Sequence, residues 1–244
     1  MSDVRYIPQL ALPEIGFEGM KKIRAARVLV IGAGGLGCPV LQYLTGMGVG
    51  HLGIVDHDMV SLSNLHRQVL YTEKDVSASK AHTAAARLKQ MNSQVEFSIF
   101  QLQATLENLE QIADRYDIIV DCTDNYEARY AICTNGLQSK KPVVFGAVQQ
   151  FERIISVFDH ITGVGYTDLF AQQTIEYSQS CEQAGIMGHV AGHVATLMVN
   201  EIVKLILDLD NPLIGKILSI NLLTGSSRLY TLIAKSDRIN YPLE

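Results

Sequence analysis

No Cys-x-x-Cys pair occurs in this chain of 244 residues, and its four cysteines, at positions 38, 122, 133 and 181, form no short disulfide framework. That absence excludes a disulfide-stapled secreted scaffold and fits a reducing compartment. No apolar run is expected to reach the roughly 20 residues that span a bilayer, and Met1 to Arg5 shows no signal-peptide core, so a cytoplasmic protein without a membrane partner is expected. A basic excess is missing too: 20 Lys and Arg stand against 25 Asp and Glu, a net charge of −5. With a pI near 5.8 the chain offers no general attraction for nucleic acid, although a local basic pocket remains compatible with an acidic total. Repeats and low-complexity segments are also absent.

What is present is the composition of a compact globular enzyme, 48% hydrophobic and 18% charged, long enough to bury one large core. A single domain over residues 1–244 is the simpler reading, with a nucleotide-binding half at about 24–150 and a second part at about 151–244. Apolar strands are expected at Val28 to Ile31, Leu52 to Val55, Val95 to Gln101, Ile118 to Asp121 and Val143 to Phe145. Helical spacing is expected at Gly35 to Met47, Lys80 to Asn92, Leu106 to Arg115 and Glu127 to Ser139, with a long pattern from about Gly188 to Leu209. This alternation predicts an α/β fold, a doubly wound, mostly parallel, Rossmann-like sheet. Arg153 to Phe158, Lys216 to Leu222 and Ser227 to Ile233 read as a partly antiparallel C-terminal extension. Cys38, Cys122 and Cys133 lie in apolar or helical context and read as small core residues.

The first expected strand runs into Gly32-Ala33-Gly34-Gly35-Leu36-Gly37, and a helix follows. Gly32, Gly34, Gly35 and Gly37 in that context permit a tight turn and a close backbone approach to phosphate oxygens, which face the positive end of the helix dipole. The next strand ends at Asp56, roughly 20 residues on, where a carboxylate can accept hydrogen bonds from ribose hydroxyls. To this point NAD and ATP fit equally. Asp58, Asn64, Arg67, Gln68 and then Lys80 separate them, because clustered cations and amides beside a phosphate turn suit a more highly charged phosphate group. Asp124 and Asn125 follow the expected strand Ile118 to Asp121. Asp124 is placed either to cap the next helix or to hold Mg²⁺ against phosphate oxygens, while Asp121 reads as structural.

Arg5-Tyr6, the glycine turn, Asp56-x-Asp58, the run Val60-Ser61-Leu62-Ser63-Asn64-Leu65-x-Arg67-Gln68, Lys80 and Asp121-Cys122-Thr123-Asp124-Asn125 resemble, in order and spacing, the MoeB/ThiF family of ubiquitin-activating-enzyme-like adenylyltransferases. The resemblance covers about residues 5–233. It implies ATP-dependent adenylation of the C-terminal glycine of a small ubiquitin-like sulfur carrier ending in Gly-Gly, with pyrophosphate released. It further implies a homodimer, ATP and Mg²⁺ as cofactors, Mg²⁺ on Asp124, and Arg67, Lys80 and Asp124 as catalytic groups. Cys181, in Cys181-Glu182-Gln183-Ala184-Gly185, matches a family cysteine that can link to the carrier or take part in sulfur transfer. A thiol near a helix N-terminus is more ionised than usual.

Two departures from that family pattern are visible. Many members carry a second Arg in Arg-Tyr-x-Arg-Gln that reaches into the partner's ATP site, and here Pro8 stands in its place. Many also bind structural zinc through two Cys-x-x-Cys pairs, of which none remains, so a zinc-less variant is expected. His189 and His193 share a helix face but lack an evident third ligand, and read as polar or interface positions. Tyr166 to Gln183, polar and without a period, is expected to be mobile, and Ile186 to Val199 to serve the core or an interface. Alternative readings are adenylation of a peptide or tRNA nucleoside, or a nucleotide-binding partner protein with impaired catalysis. A nicotinamide dehydrogenase lacks its catalytic His, Lys or Tyr arrangement.

Overall fold

The computed structural model describes residues 3–149, 151–169, 185–210 and 213–232. Its eight strands form one sheet in the order β3-β2-β1-β4-β5-β6-β7-β8. β1 (Arg27–Ile31), β2 (His51–Val55), β3 (Glu96–Phe100), β4 (Ile118–Asp121) and β5 (Val143–Gln149) run parallel. β6 (Glu152–Phe158), β7 (Lys216–Asn221) and β8 (Ser226–Thr231) then continue the sheet antiparallel. This is the doubly wound, mostly parallel sheet with a partly antiparallel extension that the sequence pattern implies.

The central strands are apolar at successive positions because helices cover both faces. Val28 and Val30 of β1 enter the core shared with α3 (Gly37–Met47), α4 (Lys80–Met91) and α8 (Gly188–Leu207), whereas Leu29 and Ile31 enter the core shared with α5 (Leu106–Ile112), α6 (Tyr126–Gln138) and the short α7 (Tyr166–Leu169). The period of 2 along a strand sorts the side chains this way. Before β1, α1 (Ile7–Leu10) and α2 (Gly16–Ala25) bring Tyr6, Met20 and Ile23 into the first core. Neither short helix is marked in the sequence, because glycine and few apolar positions blur the period.

Boundaries shift where tertiary partners intervene. β5 runs on to Gln149 because it gains an antiparallel partner, with Val148 opposite Arg153 and Gln149 opposite Glu152. The helix expected from Leu106 to Arg115 remains α-helical only to Ile112 and tightens to a 3₁₀ turn over Ala113–Arg115. α8 stops at Leu207, where Asp208 takes a left-handed φ of 57° and its carboxylate lies 2.6 Å from Lys22 Nζ.

Two expectations require correction. α8 spans 20 residues and contains an 18-residue window of mean hydropathy 1.5, which by length and composition alone is enough to cross a membrane. His189, His193, Glu201 and Lys204 interrupt the run and hide its length in the sequence. In the fold α8 is a packed helix whose Val190, Ala191, Val194, Ala195 and Met198 are fully buried against the sheet and serve the core, whereas Met187, His189 and Thr196 of the same Ile186 to Val199 segment are exposed. Residues 166–169 are likewise not an irregular stretch: they form α7, and the Tyr166 backbone N–H donates to Cys133 Sγ at 3.1 Å. The rest of the segment expected to be mobile, and Cys181 within it, lie outside the described residues.

Candidate functional site

Strand order reverses between β1 and β4, where a crevice opens at the carboxyl ends of a parallel sheet. Gly32, Gly34, Gly35, Asp56, Asp58, Asn64, Arg67, Gln68, Lys80, Asp124 and Asn125 all line a cleft of about 180 Å³ at this place. Gly37 does not. A Cβ there would lie 1.8 Å from the Gly32 carbonyl oxygen, so Gly37 serves the close approach of α3 to the turn rather than a ligand. Gly32 has a φ of +93° and would place a Cβ 2.8 Å from the Cys122 carbonyl oxygen, a conformation and a contact that admit only glycine.

Asp56 is 8% exposed, and both carboxylate oxygens are taken by backbone: Oδ2 accepts from Ala33 N–H at 2.7 Å and Oδ1 from Asp58 N–H at 2.8 Å. It therefore clamps the glycine turn to the end of β2. Burial raises its pKa, against which the Ala33 bond, the Lys80 charge and the Asp58 bond work. Tyr71 tightens the same knot, with its hydroxyl 2.8 Å from the Ala33 carbonyl and 3.2 Å from the Lys80 carbonyl.

Lys80 opens α4 and is 4% exposed. Its Nζ lies 2.7 Å from Oδ2 of Asp58, whose side chain is half exposed. The ammonium is thus held at the cleft by a carboxylate that can turn away into solvent. Arg67 packs its stem beside Gly35, with a Cβ position there 3.4 Å from Arg67 Cγ, and its Nη1 lies 2.9 Å from His66 Nε2. Asn64 Oδ1 and Gln68 Oε1 are buried with no partner among the described residues. Unanswered amide groups of this kind cost roughly 1–3 kcal/mol each, and a ligand in the cleft would answer them.

The capping role considered for Asp124 falls to its neighbour. Asn125 caps α6, its Oδ1 accepting from Ala128 N–H at 2.9 Å, which leaves Asp124 exposed at the cleft with no hydrogen bond or ion pair among the described residues. A carboxylate so placed fits a hard cation shared with phosphate oxygens. Asp121 is structural, as expected: it is buried, its Oδ1 accepts from Thr123 N–H and Oγ1 at 2.9 and 2.7 Å, and burial raises its pKa. Asp56, His57 and Asp58 also lie close enough to share a metal ion, but the Asp56 oxygens already hold the turn.

Sequence reasoning missed Tyr71, Arg129 and the residues 102–104 that close the cleft. Arg129 bonds the Thr123 carbonyl through Nε at 3.3 Å and Nη2 at 2.9 Å, with its guanidinium carbon 5.5 Å from the centre of the Phe145 ring. A cation one turn into the helix that follows Asp124 was a readable signal. Tyr71 left none.

Comparison with known proteins places this geometry. The model of the ThiF family matches residues 6–240. A sulfur carrier protein adenylyltransferase of Thermus thermophilus is 41% identical over 233 residues, covering 93% of this chain and 86% of that protein. The adenylyltransferase and sulfurtransferase MOCS3 of Culex quinquefasciatus is 43% identical over 88% of this chain, which spans only 49% of that protein's length. Among solved structures, E. coli MccB with MccA-N7isoASN superposes with a TM-score of 0.81 at 18% identity, covering 96% of this chain and 73% of that one. That likeness speaks for the fold.

Proposed function

This chain belongs to the ThiF family, and from that premise we propose that it adenylates the C-terminal glycine of a small ubiquitin-like sulfur carrier with ATP, releasing pyrophosphate. The observation that carries the reading is the convergence of a glycine turn, a buried lysine, Arg67 and an uncommitted Asp124 on one crevice. The name of the Thermus relative, a sulfur carrier protein adenylyltransferase, supports the substrate class.

In this reading a carrier carboxylate oxygen attacks the α-phosphorus, a P–O bond to the bridging oxygen breaks, and the electron pair leaves with pyrophosphate. Attack on a polyanion requires in-line positioning and neutralisation of the charge that gathers on the leaving group. The turn N–H groups and the start of α3 accommodate the phosphates, Arg67 offers a fork of donors, and Lys80 exchanges the Asp58 carboxylate for a phosphate oxygen. Asn64 and Gln68 supply the amides that lack partners. Asp56 orients the ribose through the lone pairs that its two backbone bonds leave on the carboxylate oxygens. Mg²⁺, which would be held by Asp124, adds neutralising charge when bound. Cys38, Cys122 and Cys133 are buried thiols whose pKa burial raises, and because the sequence carries no Cys-x-x-Cys pair we read the protein as doing without structural zinc.

A homodimer, and a carrier ending in Gly-Gly, are part of the same proposal. Pro8, in the first turn of α1, supports a second reading in which nucleotide binds but chemistry is impaired. Exchange of labelled pyrophosphate into ATP separates the two. Purified protein with ATP, Mg²⁺ and the organism's Gly-Gly carriers should exchange label, and Arg67→Ala or Lys80→Ala should lower the rate on the order of 10²-fold to 10³-fold. Tight ATP binding without exchange by any carrier would sink the first reading and leave the second.

A further inference from the structure

The nucleotide cleft occupies the carboxyl ends of the parallel strands, and a second, open pocket of about 610 Å³ lies at their amino ends, with Tyr6, Arg24, Arg27, His51, Gln94 and Glu96 in its lining. β1, β2 and β3 are five residues long, so roughly 15 Å of sheet separates the two places. Arg27, His51 and Glu96 open these three strands and stand in register, Arg27 opposite His51 and His51 opposite Glu96. Neighbouring strands lie about 4.8 Å apart, which puts the Glu96 backbone about 10 Å from that of Arg27. The Glu96 carboxylate leans toward His51 instead, 3.9 Å from Nδ1, and its side chain is 79% exposed.

Arg27 is fixed without being neutralised. Its Nε donates to the Arg115 carbonyl, its guanidinium carbon lies 5.9 Å from the centre of the Tyr116 ring, and its backbone N–H donates to Asp117 Oδ2 at 2.8 Å. Among the described residues neither Nη1 nor Nη2 has a hydrogen-bond partner, and no carboxylate forms an ion pair with the guanidinium. Arg24, in the last turn of α2, lies over the Tyr6 ring at 5.2 Å. A relay of hydrogen bonds orients Gln94. Asn92 Nδ2 donates to the Thr45 carbonyl and to the Tyr6 oxygen, both at 2.9 Å, so the Tyr6 proton is directed to Gln94 Oε1 at 3.2 Å. The Gln94 amide nitrogen is thereby left as a donor at the pocket. Burial and the Arg27 charge lower the His51 pKa, so that ring is neutral near neutral pH, and the cations of the pocket are the two arginines.

A chain of net charge −5 thus holds two guanidiniums, each laid on a tyrosine, and an oriented amide around one open pocket. We propose that this pocket is a second ligand site, separate from the nucleotide cleft, for a phosphate group, free or carried by a small organic ester. A guanidinium forks onto anionic oxygens, and its stacking on an aromatic ring sets the plane of the fork. Two such groups with the Gln94 amide present more donors than the two oxygens of a carboxylate can use, whereas a phosphate ester brings three terminal oxygens and a charge of about −1.5 to −2. The volume left beside the arginines, walled by Gly48 and Gly50, has room for an organic part. The proposal does not depend on the adenylation reading.

The test uses the full chain with its cleft filled by one equivalent of a non-hydrolysable ATP analogue and Mg²⁺. Ribose 5-phosphate, inorganic phosphate and ribose are titrated separately by calorimetry. Ribose 5-phosphate should bind with one equivalent, inorganic phosphate should compete for the same place, and ribose should not bind. Tighter binding of the ester supports the site and assigns it to an organic phosphate, whereas equal binding supports the site and assigns it to the free ion. Arg27→Gln and Arg24→Gln should each weaken binding on the order of tenfold, the loss of one charge-assisted contact, and Gln94→Ala should weaken it by about threefold. Arg24 and Gln94 are exposed, so their variants keep the test decisive if Arg27→Gln does not fold. Failure of both phosphate probes to bind, ribose binding as well as its phosphate, or affinities that the folded variants leave unchanged would each overturn the proposal.

Discussion

Lys80 and Asp58 are joined twice: Nζ lies 2.7 Å from the Asp58 carboxylate, and the Lys80 backbone N–H donates to the Asp58 carbonyl at 3.0 Å. The first bond can be exchanged for a phosphate, whereas the second keeps the start of α4 against the loop after β2. A ligand can therefore take the lysine's charge without moving its backbone.

Asp58→Asn should separate these roles. The backbone bond persists, the ammonium loses its counter-charge, and stability falls by about 1–2 kcal/mol, less than for a fully buried pair because Asp58 is half exposed. ATP binding should weaken less than in Lys80→Ala, since phosphate replaces the lost carboxylate. Isothermal titration with ATP and Mg²⁺ checks the order of the two variants, and Asp58→Asn binding as weakly as Lys80→Ala would show that Asp58 itself contacts the ligand.

Tyr71→Phe removes a buried hydroxyl that lies between the carbonyls of Ala33 and Lys80. The expected cost is about 0.5–1.5 kcal/mol, the net worth of a hydrogen bond, because the Ala33 carbonyl keeps the Cys38 thiol at 3.3 Å. Ala33 lies inside the glycine turn and Lys80 lines the cleft, so ATP affinity should fall together with the urea midpoint. A change in midpoint with unchanged ATP affinity would detach Tyr71 from the turn.

Gly37→Ala and Gly34→Ala should part company. The first puts a Cβ against the Gly32 carbonyl oxygen, a backbone atom that cannot yield, whereas the second meets only Gln68 Nε2 at 3.6 Å. Gly37→Ala should therefore lower stability by at least about 3 kcal/mol or prevent folding, among the largest effects of a single substitution. Gly34→Ala should leave the melting temperature near that of the parent and weaken ATP binding. Equal melting temperatures for the two would contradict the packing.

Asp121 sets a pH dependence whose sign is determined by burial. Its folded pKa is raised above the ordinary 3.8, so the folded chain holds this proton more tightly than the unfolded chain does. Stability relative to Asp121→Asn should then fall as pH rises from below 3.8 through the folded value and level off above it. Asparagine keeps one oxygen for both Thr123 bonds, so the variant is a fair reference. Urea unfolding at a series of pH values checks this, and a difference between the two proteins that does not vary with pH would refute the shift.

Much of the site was readable because its residues sit at fixed chain distances from recognisable strands. Gly32, Asp56 and Asp124 each follow a strand that is apolar along its length, and a parallel sheet brings the ends of such strands to one crevice whatever the loops between them do. Arg67 and Lys80 were readable as charges near those ends. Tyr71 was hidden for a different reason, since its hydroxyl acts on the Ala33 carbonyl 38 positions away, a contact that no local period records.

Local pattern by itself determined the alternation of strands and helices, the phosphate turn and the list of groups available to it, because hydrophobic period and glycine spacing are properties of neighbouring residues. Only the tertiary structure decided what each group does. Asn125 takes the helix cap and so frees Asp124, Asp56 spends its oxygens on backbone, Gly37 answers to packing, and α8 buries its apolar face in the sheet. Each of these depends on which distant atoms arrive at hydrogen-bonding or van der Waals distance, and that is settled when the sheet closes its register.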